Sequence, residues 1–149
     1  MVLLKPLHNL LLAFSVLFFA AAFFTLKKTL DIHLPAQMIV ISFAHIFMFT
    51  AVYFAALWLA YTFTIKWAWS ERLYKIHILA TVVLVSFLLA TALWSNPILE
   101  KWLQNDPLQK QLVSLKIGQL ITGGLLILTT IQLVYPLNLV IGLIKNRKN

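Results

Sequence analysis

Four stretches of this chain are long and apolar enough to cross the hydrocarbon core of a bilayer, which takes about 20 residues of helix. They cover about 7–26, 36–65, 74–94 and 116–144. Nothing else in the sequence limits the fold so strongly. In lipid every backbone polar group must find its partner within the chain, so a spanning segment that is not part of a closed barrel has to be a helix. Composition excludes the soluble alternative. Hydrophobic residues make up 62% of the 149, charged residues only 11%, and the mean hydropathy is +0.92. A soluble domain of this size has too little interior to hide so much apolar side chain. The expectation is an all-α integral membrane four-helix bundle forming one domain, residues 1–149, with the lipid bilayer as its first partner.

The connections are short and polar: KKTLDIHLP, KWAWSER and SNPILEKWLQNDPLQKQ. Pro35 suits the first turn of the second helix, and SNP and NDP read as helix-stop and turn signals. The second and fourth segments exceed the bilayer thickness, which predicts tilt or protruding ends. The first segment lacks a small-residue cleavage site and three more spans follow it, so it is expected to stay in the mature protein. Orientation follows from the cations. Lys5, Lys66, Arg72, Lys75, Lys145, Arg147 and Lys148 fall on one side of a four-span path. Lys27, Lys28, Lys101, Lys110 and Lys116 fall on the other, with three of the four acids. The bias favours cytoplasmic N and C termini, in a bacterial inner membrane. Trp67, Trp69, Trp94 and Trp102 sit near the expected membrane edges as an aromatic belt. The net charge of +8 reads as topology and headgroup attraction rather than as a nucleic-acid footprint.

Chemistry is confined to a few side chains. Cysteine is absent, which removes disulfides and thiolate metal sites. The four carboxylates lie in loops or at membrane edges, and no two are placed as an acid/base pair. There is no phosphate-binding glycine loop, Ser-His-Asp arrangement or paired-histidine metal motif. Four histidines remain. His8, His33 and His77 lie where water or headgroups can be reached. His45 is placed roughly 14 Å inside a second helix that starts near Ala36. An intramembrane ionisable group is costly and normally faces the bundle interior with a partner. Two readings of His45 stay open: a neutral imidazole bonded to a Ser, Thr or Gln of a neighbouring helix, or an axial ligand to a haem iron. On the fourth helix Gln119, Thr122, Thr129 and Gln132 share one broad face, suited to interhelical bonding, while Gly118, Gly123 and Gly124 allow close approach. Pro136 is expected to kink the inner end of that helix.

Residues 30–45, LDIHLPAQMIVISFAH, resemble the segment leading into the tenth helix of haem–copper (cytochrome c) oxidase subunit I. The family pattern there is Leu-Asp-Ile-x-Leu-His-Asp-Thr followed by Val-Val-Ala-His-Phe-His, and Leu30, Asp31, Ile32, Leu34, Val40 and His45 match it. YKIHILATVVLVSFLLA resembles the start of the eleventh helix, and IQLVYPLN the Gln-x-x-Phe-x-x-Asn pattern of the twelfth. The resemblance implies a chain equivalent to the last four helices of subunit I, with the same orientation. It also implies a b-type haem at His45, the position of the low-spin haem ligand. The departures remove the rest of the site. Phe43 replaces the high-spin haem ligand, Pro35 and Ala36 replace the His-Asp metal ligands, and the copper ligands belong to helices this chain lacks.

The expected function is a non-catalytic, subunit I-like small membrane protein linked to respiratory or haem metabolism. A second axial ligand would come from His77, His8, His33 or a homodimer partner's copy of the chain. The competing expectation is a structural accessory or assembly protein of a respiratory membrane complex, with no cofactor and His45 as a polar staple.

Overall fold

The computed structural model describes residues 5–34, 37–102 and 107–146. It is mostly helical: α1 (Lys5–Phe24), α2 (Phe43–Thr64), α3 (Glu71–Trp102), α4 (Pro107–Gln132) and α5 (Val134–Asn146). Four stretches are long and apolar enough to span a membrane, Leu7–Phe24, Phe43–Trp67, Glu71–Trp94 and Leu115–Lys145, the last running through α4 and α5. The four-helix expectation therefore holds in its coarse form.

One departure from an all-α chain changes where a key residue lies. Between α1 and α2 the chain forms a two-stranded antiparallel ribbon, β1 (Thr29–Leu34) and β2 (Gln37–Ser42). Its ladder runs from Thr29↔Ser42 to Leu34↔Gln37. Pro35 and Ala36, expected to open the second helix, lie outside the described residues, and the helix begins only at Phe43. The physical reason is local. Ile39, Val40 and Ile41 form a β-branched run that suits a pleated strand. A continuous apolar run has no period with which to tell strand from buried helix.

Each span runs antiparallel to the next, α4 and α5 making up the last one. Phe14 stacks on Phe54 with ring centroids 6.2 Å apart, and Phe18 on Phe47 at 6.0 Å, so α2 descends as α1 climbs. Ser15 donates to the Ala51 carbonyl at 2.8 Å across this seam, where buried Ala51 lets the backbones approach. The α3–α4 seam has the same sense: His77 and Thr81 of α3 meet Gln132 of α4, while Leu88 meets Gly124. Of the three glycines expected to allow close approach, Gly124 does so. A Cβ there would strike the Leu88 side chain, whereas Gly118 and Gly123 face open space. The core lies between α1, α2 and α3 and includes Leu11, Phe18, Phe47, Phe54, Ile78 and Val85.

The α4–α5 break at Leu133 fits Pro136, which has no N–H to give the Gln132 carbonyl, so α4 stops there. The SNP signal does not stop α3, which continues through Pro97 to Trp102. Only one backbone bond is forfeited there, the one to the Leu93 carbonyl, which lies in the last turn of the apolar span that ends at Trp94. NDP, expected to stop a helix and turn the chain, instead supplies a start: Pro107 is the first residue of α4, nine residues before the expected segment, at the position where a missing N–H costs nothing.

Candidate functional site

Of the buried polar side chains, His77, Thr81 and Asn138 lie toward the end of the bundle that holds the α2–α3 connection, residues 65–70, while Ser15 and Thr25 belong to α1 and the turn after it. Tyr61 of α2 donates its hydroxyl to His77 Nδ1 at 2.6 Å. His77 Nε2 faces Gln132 Oε1 at 3.1 Å, and Gln132 Nε2 donates to Thr81 Oγ1 at 3.1 Å. An amide oxygen only accepts, so Nε2 carries the ring proton and Nδ1 accepts from Tyr61. This assigns one continuous relay, Tyr61→His77→Gln132→Thr81, joining α2, α3 and α4. His77 is 1% exposed and Thr81 0%. Two tyrosine rings flank the imidazole, Tyr61 and Tyr135, and Tyr74 packs against Tyr61. Tyr61 lies edge-on to Tyr74 at 4.7 Å and to Tyr135 at 4.6 Å, and Tyr135 lies 6.0 Å from His77. The Tyr135 hydroxyl is 2.8 Å from that of Thr64.

Asn138 of α5 extends the same stripe. Its Oδ1 accepts from Ser70 N–H at 2.9 Å, its Nδ2 donates to the Ser70 carbonyl at 3.1 Å, and its own carbonyl accepts from Trp69 N–H at 3.2 Å. This clasp fixes the residue that precedes α3, whose hydroxyl in turn accepts the Leu73 N–H at 3.4 Å. Gly142, one turn on, is buried against the backbone of Trp67 and Trp69. Around this end Lys66 sits over the Trp67 ring and Lys145 over the Trp69 ring, both 4.6 Å from the centroid, and Glu71 pairs with Lys75 at 2.6 Å. Amphipathic rings under cations are what a membrane–water boundary favours.

The histidines exchange roles relative to expectation. His77, expected to reach water or headgroups, is the buried one. Its ring lies on the inward stripe Tyr74, His77, Thr81, and both nitrogens are engaged. His45, expected near mid-membrane with its ring inward, lies in the first turn of α2 and is exposed. The shift follows from the β ribbon, which takes up the residues that would have carried His45 deeper. Tyr61, which marks the level of His77, is sixteen positions along α2 from His45, about 24 Å of helix axis. The two histidines therefore do not form a pair within one chain. His33 lies on β1 opposite Met38, and His8 is half-buried on α1. Among the described residues no three His, Cys, Asp or Glu side chains come together as a metal-binding group.

Of the polar face expected on the fourth helix, only Gln132 reaches the bundle interior. Gln119, Thr122 and Thr129 are exposed. Gln132 bonds His77 rather than His45, and Thr129 returns its hydroxyl to the Leu125 carbonyl at 2.9 Å. Gln132→Leu is expected to lower stability by roughly 0.5–2 kcal/mol, the range for interhelical bonds in lipid. An unchanged unfolding midpoint in mixed micelles would place Gln132 outside the network.

Sequence reasoning passed over Tyr61, Tyr135 and Ser70. A usable signal was present: Tyr74, His77 and Thr81 at i, i+3, i+7, and Gln132, Tyr135 and Asn138 at i, i+3, i+6, are polar stripes in apolar helices. No family model, curated protein or solved structure matches this chain.

Proposed function

We propose that this chain is a non-catalytic accessory or assembly protein of a bacterial cytoplasmic membrane, with both ends in the cytoplasm. The observation that carries the reading is the occupancy of His77. Its two ring nitrogens are both bonded to protein groups, which makes it a polar staple between helices instead of a metal ligand. The start of α1, the 65–70 connection and α5 share one end of the bundle, and in the sequence seven of the twelve Lys and Arg fall within or next to those segments, which supports the cytoplasmic assignment. A reporter fused to the C terminus and active only in the cytoplasm is expected to be active. Activity of a periplasm-restricted reporter at that position would overturn the orientation.

A second reading rests on the exposure of His45. A ring presented outward on the first turn of α2 can meet the same ring of another copy, and two such rings would supply the axial ligands of a b-type haem. The likeness to oxidase subunit I and the link to respiratory or haem metabolism belong to this reading. Protein produced with ample haem distinguishes the two. The accessory reading expects no Soret band and no change on His45→Ala. A Soret band in a dimer, lost with His45→Ala and kept with His33→Ala, would establish the haem reading in its place.

A further inference from the structure

A cavity of about 550 Å³ lies between α2, α3 and α4, on the side of the bundle where α2 and α4 do not close a packed seam. Its walls are hydrocarbon, among them Ile46, Phe49, Leu88, Ala92, Ile121 and Leu125, and among the described residues no charged one lines it. Polarity is concentrated at one end. Tyr53, Thr129 and Gln132 are the lining residues nearest the relay end of α2 and α4. Thr50 and Thr129 return their hydroxyls to their own helices. The Tyr53 hydroxyl is buried and has no hydrogen-bond partner. Gln132 spends one amide N–H on Thr81 and has a second.

We propose that this cavity binds a neutral, headgroup-free lipid carrying a carbonyl group, the class that includes prenylquinones. Four features select the class. The size is that of a small-molecule site, ample for one ring and the first part of a tail. The unpartnered group is an O–H donor, and a buried donor left without an acceptor is costly, so the ligand must present an acceptor there. The depth excludes ordinary phospholipid. Tyr53 lies midway along α2, whereas the ester carbonyls of a phospholipid are tied to its headgroup at the membrane surface. A fatty-acid carboxylate would be an unpaired charge in hydrocarbon, with no Lys or Arg among the described lining residues to meet it. The carbonyl accepts from Tyr53, and the tail runs toward Ile46, Ala92 and Ile121. The site is independent of the accessory and haem readings, since it involves neither His45 nor the nitrogens of His77.

The test is equilibrium dialysis of the full chain in detergent against decylubiquinone, with undecylbenzene as a carbonyl-free probe of similar tail. Saturable uptake near one per chain is expected, with the quinone held roughly 3–10-fold more tightly than the hydrocarbon, the ratio one neutral hydrogen bond supplies. Tyr53→Phe keeps the ring and should erase that ratio. Leu125→Trp, at a half-exposed position on the cavity wall, should abolish uptake of both probes while far-UV circular dichroism and elution volume stay unchanged. Should Leu125→Trp fail to fold, the ratio in Tyr53→Phe decides alone. The proposal is overturned if wild type shows no saturable uptake, if Tyr53→Phe retains the wild-type ratio, or if phospholipid added at equal concentration displaces the quinone.

Discussion

Replacing His77 by Ala is expected to lower the unfolding free energy by about 2–4 kcal/mol, through a cavity where the ring stood and the loss of two interhelical bonds. The ring is fully enclosed, so the surroundings cannot collapse without moving Tyr61 and Tyr135 as well. The change also leaves the Tyr61 hydroxyl and the Gln132 carbonyl oxygen facing no partner, and such orphans are the costly outcome of deleting one member of a buried network. His45→Ala serves as the internal comparison. Its ring is exposed on the first turn of α2, and its removal should leave the midpoint unchanged. Equilibrium unfolding by steric trapping in bicelles reads both. Equal effects at the two positions would contradict the placement of either ring.

Gly142→Ala should have an effect of the same order, about 2–4 kcal/mol, for a different reason. A Cβ at Gly142 would collide with the Trp67 carbonyl and crowd the Trp69 nitrogen, and these are backbone atoms that cannot swing aside. Overpacking costs about 1–3 kcal/mol by itself. Relieving it by lifting α5 breaks the Asn138 clasp on Ser70 and Trp69, which adds the loss of further hydrogen bonds. Gly118→Ala supplies the contrast. That site faces open space on α4, and the better helix propensity of alanine should stabilise the protein by up to about 1 kcal/mol. A Gly142→Ala protein as stable as wild type would show that α5 does not seat on the 67–70 backbone.

Apolar length made the helical spans legible in the sequence, and proline chemistry marked the break at Pro136, while the start of α4 at Pro107 was read as a stop. The ribbon was not legible. Residues 37–42 are apolar enough to continue a span, and only their β-branched content separates strand from helix, a weaker signal than length. The misplacement of His45 is a direct consequence, since its depth was counted from a helix start that the β ladder displaces to Phe43. The candidate site was half legible. Gln132 was singled out as interhelical glue, and Gln132, Asn138 and His77 all fall within segments noted for their likeness to oxidase helices. What no single segment shows is that YKIH and QLVYPLN meet, because that depends on α3 and α4 running antiparallel with Gly124 seated on Leu88. Gly142 carried no signal in sequence, because its constraint is the proximity of a distant loop.

His77 and Gln132 act as one unit between α3 and α4. A double-mutant cycle with His77→Leu, Gln132→Leu and the pair measures this most directly, with unfolding free energies read by steric trapping in the same bicelles. Each single change strands a buried polar partner, while the double change replaces both with hydrocarbon and strands neither of the two. The expected result is a coupling of about 0.6–1.7 kcal/mol, the range found for interhelical hydrogen bonds in membranes, with the double variant more stable than the sum of the singles allows. Strict additivity, with the double variant losing the full sum, would contradict the account.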